Sequence, residues 1–177
     1  MLLLTKAVFA VMIGFLFSVC LGLILVPILK KLHVGQTISV YVGESHRKKA
    51  GTPTMGGIIF ILPTILIMLA LLLFKKVAYT DNLAIVLLVF CGFAIIGFLD
   101  DFLSLRKHNN EGLTTYQKLF GQIIISTIFF YIYMNSGHDP VLEIYTLNIK
   151  INMGWFFGIF ILFVLLGGSN AVNLTDG

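Results

Sequence analysis

Charge is the scarce commodity in this sequence. Of 177 residues, 12 are Lys or Arg and 8 are Asp or Glu, 11% together, against about 25% in a typical soluble domain. So few charges cannot cover a globule in water. With 58% hydrophobic residues and a mean hydropathy of +1.00, the chain reads as an all-α, polytopic membrane protein. Counting soluble domains by length therefore does not apply. Cysteine is nearly absent too: Cys20 and Cys91 both lie inside apolar runs, which excludes a disulfide framework and leaves each as a small hydrophobe. The N-terminus lacks a small-x-small cleavage site, and the run Ala7–Leu29 is too long for a signal-peptide h-region, so a retained first span is expected. The formal net charge of +4 is modest, and no nucleic-acid partner is expected.

A span needs roughly 20 apolar residues, and five stretches come up to or near that mark: about Ala7–Leu29, Gly57–Phe74, Leu83–Leu99, Leu119–Met134 and Trp155–Val172. Pro63 falls inside the second, where neighbours can satisfy the freed carbonyl. Basic residues stay cytoplasmic, and they are unevenly spread. The first loop holds Lys30, Lys31, Arg47, Lys48 and Lys49, and the third holds Arg106, Lys107 and Lys118. The second has only Lys75 and Lys76, and the fourth only Lys150. This places the first and third loops in the cytoplasm, the N-terminus outside, and the end of the fifth span inside.

Four polar motifs fall on that cytoplasmic face. In His46-Arg47-Lys48-Lys49-Ala50-Gly51-Thr52-Pro53-Thr54-Met55-Gly56-Gly57, proline and glycine set a turn and Thr54 can cap a helix. The first N–H groups of the second span would then stand beside three cations as an anion site. Arg47 and Lys48 need no more than the orientation rule, whereas Lys49 and Thr54 sit close to the helix start. The second motif is Asp100-Asp101, which ends seventeen uncharged residues. Two acids where a helix leaves the bilayer meet the negative end of its dipole and each other. A divalent cation, or nearby lysines, would resolve both problems. Neighbouring helical residues point about 100° apart, so the two acids have different tasks. In the third motif, Thr114 and Gln117 have capping-box spacing, which puts Lys118 in the first turn of the fourth span. His108 is read as a solvated loop residue. The fourth motif, Gly167-Gly168-Ser169-Asn170-Ala171-Val172-Asn173-Leu174-Thr175-Asp176-Gly177, gathers amides and a carboxylate, with Asn173 and Asp176 one helical turn apart. Asn170 can be simple helix-end polarity. Lysines at helix starts suit phosphates and carboxylates suit a metal, and phosphoryl transfer needs both.

These motifs, in order, closely resemble the phospho-N-acetylmuramoyl-pentapeptide transferases. The run Lys49 to Gly57 is similar to that family in particular. Asp100-Asp101 and Asn173-Leu174-Thr175-Asp176-Gly177 are similar to the wider polyprenyl-phosphate hexose-1-phosphate transferase superfamily. The resemblance implies a Mg²⁺-dependent bacterial cell-membrane enzyme with a ten-helix fold, here its N-terminal five helices as a single transmembrane domain, 1–177. It implies transfer of phospho-MurNAc-pentapeptide from UDP-MurNAc-pentapeptide to undecaprenyl phosphate, giving lipid I and UMP. It further implies that Asp100 activates the lipid phosphate while Asp101 assists through metal or lysine contacts. Lys49, Thr54, Asn173 and Asp176 would border the nucleotide-sugar pocket, Lys118 would contact phosphate, and a homodimer is suggested. Family members continue past Asp176-Gly177 to a metal-binding aspartate and a histidine-rich loop, so this chain alone is expected to be an inactive fragment. The rivals are a transporter, a non-catalytic membrane subunit and a sister transferase using UDP-GlcNAc. No span carries a charge at mid-depth, which weighs against a conduit, and Thr52-Pro53-Thr54-Met55 weighs against the sister enzyme.

Overall fold

The computed structural model describes residues 2–32, 55–107 and 112–176. Lys49, Thr54 and His108 lie outside them. Among the described residues, five α-helices and one hairpin follow in order: α1 (Leu2–Leu32), α2 (Ile58–Leu73), α3 (Asp81–Lys107), α4 (Thr115–Asn135), β1 (Val141–Ile144), β2 (Ile149–Asn152) and α5 (Phe156–Asp176). The described residues are all-α apart from this hairpin, and each expected span has become a helix. Three of them, over Leu4–Lys31, Asp81–Arg106 and Phe156–Asn173, are long and apolar enough to cross a membrane. The 16-residue α2 extends about 24 Å, short of a hydrocarbon core of about 30 Å. The chain is a multi-pass membrane protein turned inside out by comparison with a soluble one. Among the described residues the buried hydrophobics are Leu29, Ile85, Ile125, Phe157 and the fully enclosed Pro63, whereas Phe15, Leu23, Leu73 and Phe163 are 67%, 74%, 79% and 70% exposed. Only a lipid solvent makes such a surface inexpensive.

The chain divides into two compact units, and the division falls inside α3. The first comprises residues 1–78 and 98–112. Its helices α1 and α2 pack through small residues, as membrane helices do when lipid supplies no hydrophobic drive. Gly14 faces Ile67 and Gly22 faces Ile59, where an added Cβ would stand 3.5 Å and 3.3 Å from those side chains. Eight residues forward on α1 thus match eight backward on α2, so the helices run in opposite directions. At its C-terminus α2 closes with Lys75 in the left-handed region (φ 53°), and Lys76 N–H reaches back to the Leu71 carbonyl at 2.8 Å. That is the geometry of a Schellman-type cap, with cations placed at the negative end of the helix.

The second unit comprises residues 79–97 and 113–177. Thr80 starts α3, its Oγ1 accepting from Leu83 N–H at 3.3 Å. Here α3 and α4 interlock reciprocally: a Cβ at Gly92 would come within 2.8 Å of Ile125 Cδ1, and one at Gly121 within 3.0 Å of Ile96 Cδ1. Gly158 of α5 likewise receives the ring of Phe130 from α4. Buried Gln122, 3% exposed, joins α4 to α5, accepting from Asn170 Nδ2 at 3.0 Å and donating towards Asn170 Oδ1 and Ser169 Oγ at 3.4 Å.

Between α4 and α5, β1 and β2 pair antiparallel with Leu142 opposite Ile151, Glu143 opposite Lys150 and Ile144 opposite Ile149. Asn148 turns the chain in the left-handed region (φ 52°), which Asn tolerates better than most residues. The hairpin base is tied to the helices. Met153 N–H donates to Pro140 O at 2.9 Å, Tyr133 Oη donates to Asp139 O at 3.1 Å, and the Tyr133 ring stacks on His138 and packs against Phe157.

Candidate functional site

In the first unit the site is built on the Asp pair. The helix does not stop at Asp100-Asp101 as the sequence suggested: α3 continues to Lys107. The reason lies in the residues that follow. Phe102, Leu103 and Leu105 prolong the apolar pattern, Phe102 stacks on Phe98 with ring centroids 6.0 Å apart, and Arg106 stands at the negative helix end, where a cation is favoured. The pair therefore lies inside a helix, away from its C-terminal dipole, and both side chains are half-buried.

Asp101 has a specific partner. Its Oδ2 accepts the backbone N–H of Met55 at 2.8 Å. Met55 is in the left-handed region, φ 66°, an uncommon conformation for a residue with a side chain. The tight turn it opens leads into α2, and the N–H groups of Ile58, Ile59 and Phe60 donate to the carbonyls of Met55, Gly56 and Gly57 at 3.2, 3.1 and 3.2 Å. This revises the expectation of an anion site at the start of α2. Its first amides are consumed by the turn, its N-cap is Gly57 with no side-chain cap, and the anion that does arrive, at Met55, is a carboxylate of the protein itself. A charge-assisted bond of this kind is about twice as strong as a neutral one.

Asp100 is enclosed from another side. A Cβ built on Gly112 would overlap Asp100 Oδ1 and stand 2.5 Å from the Asp100 carbonyl oxygen. Only glycine lets the chain pass so close to that carboxylate. Carboxylate oxygens suit Mg²⁺, which takes one or two carboxylates and completes its shell with phosphate and water oxygens. No group of three or more His, Cys, Asp or Glu side chains gathers among the described residues. By their chemistry the two carboxylates of the Asp pair could offer oxygens to such an ion.

In the second unit, α4 opens with the capping box that the spacing announced. Thr114 Oγ1 accepts from Gln117 N–H at 3.3 Å, and Gln117 Oε1 accepts from Thr114 N–H at 2.9 Å. Lys118 follows in the first turn and, with Thr115, Leu119, Asn170, Ala171 and Asn173, lines an open cleft of about 410 Å³. Of the sequence-derived residues this cleft unites Lys118 with Asn173. Asp176 lies in the last turn of α5. A cation on one wall and amides on the other could hold a phosphate and a polar ring system. Sequence reasoning missed Gln122, which secures Asn170 at the edge of this cleft. Its signal was an amide four residues before Ser126 inside an apolar run, opposite Ser169-Asn170. It also missed Met55 and Gly112; for Met55 only the neighbouring Gly56 and Gly57 gave a hint.

Comparison with known proteins converges on the same segments. The family profile described as glycosyl transferase family 4 matches residues 83–177, and phospho-N-acetylmuramoyl-pentapeptide-transferase signature 1 matches residues 49–61. Curated proteins named phospho-N-acetylmuramoyl-pentapeptide-transferase are similar along almost the whole chain. That of Oceanobacillus iheyensis is 40% identical over 176 residues, covering 98% of this chain and 53% of the relative. That of Geobacillus kaustophilus is 42% identical over 171 residues, covering 96% and 52%. That of Bacillus subtilis is 41% identical over 169 residues, covering 96% and 52%. The chain spans about half the length of the curated relatives it matches. On the profile that covers more than half of its residues, the chain belongs to glycosyl transferase family 4.

Proposed function

We propose that this chain carries part of the machinery of a phospho-N-acetylmuramoyl-pentapeptide transferase of the bacterial cell membrane, acting in peptidoglycan biosynthesis. An oxygen of undecaprenyl phosphate attacks the sugar-linked phosphorus of UDP-MurNAc-pentapeptide. The bond from that phosphorus to the oxygen of the uridylyl phosphate breaks, UMP departs, and lipid I stays in the membrane. Asp100 receives the lipid phosphate and activates it, while Asp101 holds the local structure and assists. Lys118 contacts phosphate, and Lys49, Thr54, Asn173 and Asp176 serve the nucleotide-sugar. Asp100 and Asp101 would hold Mg²⁺ together with phosphate oxygens; when bound, the ion would neutralise charge on the phosphoryl group. The first and third loops are cytoplasmic, the N-terminus is outside, and the working form is a homodimer.

One observation carries this reading: the 2.8 Å bond from Met55 N–H to Asp101 Oδ2. It ties the signature segment 49–61 to the Asp pair, two stretches that sequence alone could only list side by side. The test is UMP release from UDP-MurNAc-pentapeptide by a version extended to the relatives' full length, in lipid with undecaprenyl phosphate. The extended protein should release UMP, Asp100→Asn should abolish it, and the 177-residue chain should release little. Release from UDP-GlcNAc instead, or full activity of Asp100→Asn, would overturn the assignment.

A further inference from the structure

The hairpin between α4 and α5 is amphipathic in a way the transferase reading does not use. Strand residues alternate between faces, and the register places Leu142 beside Ile151 and Ile144 beside Ile149 on one face, with Glu143 beside Lys150 on the other. One face is thus wholly aliphatic, and the other carries an ion pair at 2.5 Å. The β2 half of the aliphatic face is open: Ile149 and Ile151 are 42% and 46% exposed and Leu147 beyond them 65%, while Leu142 and Ile144 on β1 are half-buried. A lone two-stranded hairpin is marginal in water, so this one needs a cover.

The position of the hairpin identifies that cover. Its base is bonded to the end of α4 through Tyr133 and Asp139, and β2 ends four residues before the membrane-crossing stretch Phe156–Asn173. Trp155, 84% exposed, and Phe156, 71% exposed, stand at that junction, and such aromatics settle at the headgroup level. The exposed aromatics that open α5 therefore stand within four residues of Asn152, where β2 ends. Strands of four residues span about 14 Å, more than a headgroup layer of roughly 6 Å is deep, so the hairpin meets lipid by lying along the surface.

We infer that the β1–β2 hairpin lies flat in the headgroup layer of the bilayer that α5 crosses, with Leu142, Ile144, Ile149 and Ile151 towards the acyl chains and Glu143 and Lys150 towards water. The test uses the chain in phosphatidylglycerol–phosphatidylethanolamine nanodiscs, with Cys20→Ala and Cys91→Ala as background and an environment-sensitive fluorophore on Ile149→Cys, Ile151→Cys or Lys150→Cys. Labels at 149 and 151 should emit further to the blue, be quenched by lipids carrying a shallow nitroxide and resist aqueous iodide, with the reverse at 150. Iodide quenching equal at all three positions overturns the inference. So does protection at 149 and 151 that disappears when discs hold one chain each, since a second copy would then be the cover. Without any label, the Ile149 and Ile151 methyl resonances should broaden with the nitroxide lipid and not with an aqueous gadolinium chelate; the opposite pattern refutes the placement even if a label disturbs the strands.

Discussion

Asp101 is the side chain whose removal the structure translates most directly into free energy. Met55 sits at φ 66°, where a residue with a Cβ gives up about 1–2 kcal/mol. The Asp101 carboxylate accepts its N–H at 2.8 Å, and a hydrogen bond to a charged group contributes about 1.5–3 kcal/mol. The two are of similar size and opposite sign, so the carboxylate holds a turn that would otherwise relax. Asp101→Ala should cost less than the about 1.5–3 kcal/mol of the bond itself, because the half-buried N–H loses its acceptor while the released turn recovers part of the strain. Asp101→Asn keeps an oxygen in place and should cost about 1 kcal/mol. Met55→Gly removes the strain that letting go of the turn would otherwise release, so in that background Asp101→Ala should cost visibly more, a coupling that a double-mutant cycle isolates. The assay is reversible unfolding in mixed micelles, followed by helical circular dichroism as the denaturing detergent fraction rises. Additive effects of Met55→Gly and Asp101→Ala, or an Asp101→Ala loss that is smaller beside Met55→Gly than beside Met55, would refute the reasoning.

Three further outcomes follow from the packing. Gly92→Val drives two methyls into Ile125, whose Cδ1 is already 2.8 Å from a Cβ at that position, and should cost about 1–3 kcal/mol; Gly97→Ala, where nothing lies within 4 Å, should leave thermal unfolding unchanged or raise it. Gln122→Leu leaves the Asn170 amide with only the Leu166 carbonyl at 2.9 Å and should destabilise by roughly 0.6–2 kcal/mol, with most of the loss recovered when Asn170→Leu is added; equal loss in the double variant would show that the amide pair does not couple α4 to α5. In the hairpin, hydrogen bonds from Lys150 and then Tyr145 hold the Glu143 carboxyl below its ordinary value, while Glu143 holds the Lys150 ammonium above its own. The carboxylate's contribution is present above the ordinary glutamate value and is lost as pH falls through the lowered one. The ammonium's is present below the ordinary lysine value and is lost as pH rises through the raised one. Amide protection in the strands should therefore hold across the neutral range and decline at both extremes, and a flat profile would remove the ion pair from the hairpin's stability.

What was legible in the letters was what depends on local chemistry. The apolar runs gave five helices, and Thr114 with Gln117 announced a cap that both its hydrogen bonds realise. What escaped depends on distant partners or on a weak period. Charge alone makes the Asp pair read as a helix end, yet Phe98 and Phe102, one turn apart, carry the helix straight past it. The hairpin's alternation of Leu142, Ile144, Ile149 and Ile151 was present but short, and it was overshadowed by the spans on either side. No local signal marks which amide Asp101 takes, since Met55 is 46 residues away and its left-handed backbone is stabilised only once that partner arrives.

The glycine notches on α1 and α2 have a consequence for assembly. Two greasy cylinders inserted side by side in a bilayer have little to set their relative height, because sliding changes hardly any solvent contact. Gly14 and Gly22, meeting Ile67 and Ile59, act as detents along that slide. They determine the level at which the segment opening α2 comes to rest, and with it the Met55 amide that Asp101 takes up.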